Sequence, residues 1–348
     1  MHISLKFILT VTSAMLVAGA VQAKTKTGIL VPVTPYPGAT TTTVFGIADD
    51  NKTIVGSYVD SGGVEHGFTG TLDGNYTSFD YPGADSTQPR GIQGNGKLSS
   101  GIANDIDDYC SFIEWTRDAQ GNLTQITKDG TPLNGIVQGF NTKGVFTGDY
   151  CDAGSGTILG MLGKNSAWQE DVTTPFTSTH TAERGTNNKG DIVGFYVDDN
   201  TGLQVGTLIR KGVTSQVSYP DANQSYTVLE GINSSGEAAG QWGDTGGIVH
   251  AFAYDVKKST FTEIDDPAAT TFTQAWGVNN SGLIAVNSDS GPFIYCPKKK
   301  NCPGGGKEIQ AKEIHVSAAS MLRYGDGKST RHKVAPARTE LPKGAKPL

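Results

Sequence analysis

Beyond its first 23 residues this chain has no apolar run long enough to cross a membrane as a helix, and the run from Phe7 to Ala20 is too short for a span. Cysteine is scarce. The four present, Cys110, Cys151, Cys296 and Cys302, include no pair at the two-residue spacing of a zinc knuckle, which argues against a structural zinc site built on cysteine. Catalytic signatures are missing too: there is no G-x-S-x-G elbow, no H-E-x-x-H helix and no P-loop. Gly304-Gly305-Gly306-Lys307 lacks a strand-to-helix setting and reads as a linker. Charged residues make up only 18% of the chain, and glycine, at 46 residues, is abundant, a balance that suits short strands joined by tight turns.

What is present is a repeat. Gly46, Gly91, Gly139, Gly185, Gly231 and Gly277 each open a Gly-x-Asn-like tripeptide, at steps of 45, 48, 46, 46 and 46 residues. An even period in this range, with several short strands per unit, predicts an all-β fold: a six-bladed β-propeller of four-stranded antiparallel blades. The first unit shows the plan. Phe45-Gly46-Ile47, Thr53 to Val59, His66 to Leu72 and Tyr76 to Asp80 read as strands, separated by turns rich in Asp, Asn and Gly. The N-terminal strand, within residues 29–39, has no unit before it, and the sixth unit lacks an outer strand. Pairing the two closes the ring and leaves no free sheet edge; residues 308–316 are the alternative outer strand.

Residues 1–23 read as a secretory signal, with Lys6, the apolar run and Val21-Gln22-Ala23 at the cleavage site. Export to an oxidising compartment makes two disulfides the natural use of four cysteines, Cys110 with Cys151 and Cys296 with Cys302. Residues 24–300 form the propeller, and residues 301–348 are expected to be a basic, mostly disordered tail. From residue 297 onward 12 basic residues face 4 acidic ones, whereas residues 24–296 carry 15 basic against 30 acidic. An acidic exported body makes nucleic acid an unexpected partner.

The fifth unit, with Gly231-Ile232-Asn233-Ser234-Ser235-Gly236, His250-Ala251-Phe252 and the connector Asp266-Pro267-Ala268, resembles the HAF-type extracellular repeats of bacterial exported proteins. The resemblance covers roughly residues 28–296. It departs in units two and three, where Cys110-Ser111-Phe112 and Leu159-Gly160-Met161 replace the usual third strand. It implies location and shape and brings no reaction with it.

Asp60, Asp105, Asp152, Asp198 and Asp244 recur four residues after the second-strand glycine, at the turn on the face that also carries the connectors. Aspartate opening a tight turn bonds to nearby amides, so turn chemistry accounts for the column. The functional reading is a carboxylate-bearing face that docks a partner. Trp115, Trp168 and Trp276 lie near loops and are the aromatic candidates for ligand contact. No catalytic residue and no metal ligand is assigned; Asp105-Ile106-Asp107-Asp108 is the one stretch suited to calcium, and no other cofactor is expected. The sequence therefore points to a monomeric, non-catalytic binding or scaffold propeller for an extracellular polysaccharide or protein. A hydrolase or lyase acting at the axis is the alternative, and would need unique polar residues that break the repeat.

Overall fold

A computed structural model describes residues 23–104, 109–221, 223–316 and 323–324. The fold is all-β and its sheets are predominantly antiparallel. Strands Thr41–Ile47, Thr53–Val59, Glu65–Thr71 and Tyr76–Phe79 form one four-stranded sheet, and Thr87–Ile92, Leu98–Ala103, Ile113–Asp118 and Leu123–Gln125 form the next. Units three and four share an eleven-stranded sheet, linked by a single parallel bridge between Ile158 and His180. Units five and six belong to a sheet of nine.

The repeat glycines are imposed by backbone contact. A β-carbon on Gly139 would lie 2.6 Å from the Cα of Gly185, one on Gly185 2.7 Å from Gly231, one on Gly231 3.3 Å from Gly277, and one on Gly277 3.3 Å from Gly46. The innermost strands approach too closely there for any side chain, and the sixth unit returns to the first. Two residues on, the asparagines tie the same ring together. Asn141 Nδ2 donates to Asn187 O, Asn187 to Asn233 O, Asn233 to Asn279 O, and Asn279 to Ala48 O, at 2.9–3.3 Å. Gln93 Nε2 donates to Asn141 O at 3.2 Å. Each of these buried amides satisfies a carbonyl of the following unit, and that of Asn279 a carbonyl of unit one, so the Gly-x-Asn motif ties unit to unit.

The N-terminal strand Ala23–Pro32 pairs antiparallel with Gly291–Cys296, joining Ile29 to Cys296 and Pro32 to Phe293. Lys307–His315, expected to be tail, is a strand as well. It runs along the other side of Ala23–Leu30 and also pairs with Thr260–Thr262, welding units five and six into one sheet. The reading of residues 301–348 as mostly disordered is corrected for this stretch. Its alternation buries Ile309 and Ala311, and further on Ile314, while Gly306 passes so near the backbone of Leu30 that a β-carbon would lie 2.6 Å from its carbonyl oxygen.

Cys110 and Cys151 are bonded, linking units two and three across 41 positions. The Cys296–Cys302 pairing is corrected: both are free thiols here, Cys296 sealed inside the core and Cys302 half-buried beyond the turn Lys299–Asn301. The 41-residue separation closed by Cys110–Cys151 lowers unfolded-state entropy by an amount worth at most about 4 kcal/mol. Reducing the Cys110–Cys151 bond in the folded protein is expected to cost about 2–4 kcal/mol, read as a lower denaturation midpoint, whereas Cys302→Ser leaves the midpoint unchanged.

Candidate functional site

The turns between second and third strands lie beside the connectors, as hydrogen bonds between the two show. Thr40 N donates to Val59 O at 2.8 Å, Asp199 N to Thr177 O at 3.2 Å and Thr245 N to Asn223 O at 2.8 Å. On this face the aspartate column occupies its turns in the expected way. Asp60 Oδ1 accepts from Gly62 N and Val64 N, Asp152 Oδ2 from Ser155 N, Asp198 Oδ1 from Asn200 N, and Asp244 Oδ1 from Ile248 N, all at 2.8–3.0 Å. Those amide bonds are the leading reason that the carboxyls of Asp60 and Asp244 titrate below the usual range. Asp105, with the calcium-type stretch it opens, lies outside the described residues.

Units one and five carry the same further construction. In unit one Tyr36 stacks on Tyr58 with ring centroids 3.6 Å apart, and Tyr58 stacks on His66 at 5.1 Å. In unit five Tyr219 stacks on Trp242 at 4.4 Å, and Trp242 on His250 at 4.3 Å. Each imidazole is held between two carboxylates. His66 Nδ1 is 2.9 Å from Asp80 and its Nε2 3.5 Å from Asp60; His250 Nδ1 is 2.6 Å from Asp265 and its Nε2 3.8 Å from Asp244. Burial disfavours the charged ring of His66, but the bonds to Asp80 and Asp60 outweigh it and raise its pKa. The bond to Asp265 raises that of His250 against the same opposition.

Beside these aspartates stand the exposed large apolar side chains: among the described residues they are Val64, Leu203 and Ile248, each 40–45% exposed. All three occupy one place in the repeat, the residue before or at the start of the third strand, in units one, four and five. Sequence reading found the aspartates of this column and overlooked the apolar tips four or five residues on. A column comparison of the turns would have found them.

The tryptophans divide. Trp115 is fully buried against Phe79, so its assignment to ligand contact is corrected. Trp168 is half-buried; its Nε1 donates to Asp171 at 2.8 Å, and Lys128 Nζ lies 4.3 Å from its ring centroid. Trp276, also half-buried, packs edge-on to Phe45, and the Arg90 guanidinium sits 5.1 Å and 5.2 Å from the two rings.

That last cluster belongs to a second column, the residue just before each repeat glycine: Phe45, Arg90, Gln138, Arg184, Glu230 and Trp276. Here the repeat breaks, one position from where it is strictest. Gln138 Nε2 reaches from unit three to Glu230 Oε2 of unit five at 2.8 Å, and the cavity bordered by Phe45, Arg90, Gln138 and Glu230 has a volume of about 50 Å³. Such a space admits water-sized molecules and no sugar ring. Arg184 of the same column lies with its Nη1 3.4 Å from Asp149 Oδ2, and Asp149, Glu114 and Glu183 are fully buried. Burial first, and the negative field of Asp149 second, hold both glutamates well above the ordinary carboxyl range.

No family model matches this chain, and no curated relative does. Among solved structures it is similar to TolB from Acinetobacter baumannii, at 14% identity and a TM-score of 0.50, covering 76% of this chain and 67% of that one. A protein titled "putative TolB from Agrobacterium tumefaciens" matches at 13% identity and 0.49, covering 85% of this chain and 99–100% of its own. AofleA from Arthrobotrys oligospora matches at 12% and 0.47, covering 85% and 94%. The first likeness shows the fold alone, a propeller-like array of antiparallel sheets. Among the described residues no helix is long and apolar enough to cross a membrane.

Proposed function

We propose that this chain is an exported six-bladed β-propeller of the HAF-repeat kind, closed by its N-terminal strand, that acts as a monomeric, non-catalytic binding platform. Its partner is an extracellular protein or polysaccharide, docked on the face formed by connectors and second-to-third-strand turns. One observation carries this reading: Val64, Leu203 and Ile248 are exposed at equivalent turns, each within five residues of the column aspartates Asp60, Asp198 and Asp244. Apolar tips among carboxylates on one face are the composition of a docking surface, and a protein with apolar recesses among basic groups would complement it. The narrow axis, bridged by the bond from Gln138 to Glu230, supports binding at the rim over turnover at the centre.

The test pairs the mature protein with a Val64→Ser/Leu203→Ser/Ile248→Ser variant on two immobilised panels, envelope polysaccharides and envelope proteins, and also assays release of new reducing ends. Retention of the parent, weakened at least about tenfold in the variant without new reducing ends, is the expected result. Equal retention of both proteins, or release of products, overturns the proposal.

A further inference from the structure

Units one and five match ring for ring around their histidines, yet differ at one strand position. The partner of Phe68 in the outer strand is Ser78, whereas the partner of Phe252 is Glu263. That glutamate brings a third carboxylate to His250, where His66 has two. One ring nitrogen of His250, one oxygen of Glu263 and one of Asp265 lie within 4.8 Å of one another; Nδ1 is the nitrogen 2.6 Å from Asp265, and all three residues are half-buried. A proton on the ring would still leave this cluster with a net charge of −2, counting Asp244. A divalent cation would neutralise Glu263 and Asp265 together.

The surroundings are those of a prepared ligand set. Tyr219 donates its hydroxyl to Glu263 Oε2 at 2.7 Å, and Ala251 N–H donates to Asp265 Oδ1 at 2.8 Å, so each carboxylate is oriented by a donor of its own. The ring of His250 is fixed by its stack on Trp242, and Asp244 faces its far nitrogen at 3.8 Å. A carboxylate behind the non-ligating nitrogen, and a hydrogen-bond donor behind each carboxylate, are the outer contacts that metal ligands use. Imidazole with two carboxylates suits a borderline divalent transition ion such as zinc, leaving positions open to water.

We propose that unit five binds one divalent transition-metal ion through His250 Nδ1, Glu263 and Asp265, with Tyr219 and Asp244 as positioning residues. This site lies beyond the binding reading above and does not depend on it.

The experiment titrates Zn²⁺ into chelator-stripped mature protein by calorimetry, after the half-buried thiol of Cys302 has been alkylated in the folded state, with Cys296 left untouched in the core. Two variants accompany it: Glu263→Ser, which installs the residue of unit one, and His250→Gln. The expected result is one Zn²⁺ per chain, bound at least about tenfold more weakly by each variant. Circular dichroism checks the fold throughout; should His250→Gln fail to fold, Glu263→Ser alone decides. Absence of binding by the parent below millimolar Zn²⁺, or undiminished binding by Glu263→Ser, overturns the proposal.

Discussion

The Glu114→Gln/Glu183→Gln double variant is expected to be more stable than its parent at pH 8, with the advantage shrinking towards zero near pH 4. Both glutamates are fully buried, and none of their four carboxyl oxygens has a hydrogen-bond partner in the structure. An ion left there would forfeit its hydration without a bonded replacement, so folding favours the protonated form. The sign follows from linkage. Above an unfolded-state value near 4.3 the folded protein keeps protons that the unfolded chain has released, and stability falls as pH rises until the folded pKa is passed. Each glutamate contributes a slope of about 1.4 kcal/mol per pH unit within that window.

Other groups shape the curve without reversing it. His66 and His250, with raised pKa values, add stability that is fully present below about pH 6.5 and lost as pH climbs through their folded values. His180, pushed down to about 3 by burial and then by Arg184, works the other way: its contribution disappears as pH falls from about 6.5 towards that value. Below pH 4 the depressed aspartates, Asp289 among them at about 2, protonate and withdraw their share. Parent stability should therefore peak near pH 5, decline gently to pH 6.5 where His180 offsets one glutamate, and decline more steeply above. Denaturation at pH 5, 7 and 9 checks this; parallel curves for parent and variant would mean that the two carboxyls have found partners.

The repeat was legible because backbone collision enforces it. Where Gly185 meets Gly231 there is no room for any other residue, so the period survives while neighbouring positions vary. The aspartate turns were legible for a similar local reason, since Asp60 and Asp244 bond to amides two to four residues away. What escaped notice lies between units. Nothing near Gln138 announces that its partner is Glu230, 92 positions on, nor does the sequence around Glu114 disclose Asp149 in the next unit. Trp115 was misplaced because its strand reads like a loop edge, while the fold seats the ring against Phe79 and Gly101.

The strand Lys307–His315 was legible only as the alternative outer strand at residues 308–316, because Lys, Glu and Gln alternate with Ile and Ala in a stretch that follows glycines and precedes a basic end. Its importance follows from where its apolar residues go. Ile309 enters the cluster of Leu30, Ile264 and Tyr295, while Ile314 enters a separate one with Tyr254 and Phe261. Removing everything after Gly306 would open both clusters and bare the edges of Thr260–Glu263 and Ala23–Pro32 together. Truncation there is expected to cost about 4 kcal/mol or more and to promote aggregation, whereas truncation after Tyr324 leaves the denaturation midpoint nearly unchanged. Point variants separate packing from edge exposure. Ile309→Ala and Ile314→Ala should each cost about 2–4 kcal/mol, and the double variant should equal their sum, because the two side chains share no cluster. A double variant no worse than either single would show that the strand detaches as a unit, and that the weld between units five and six breaks at the first loss.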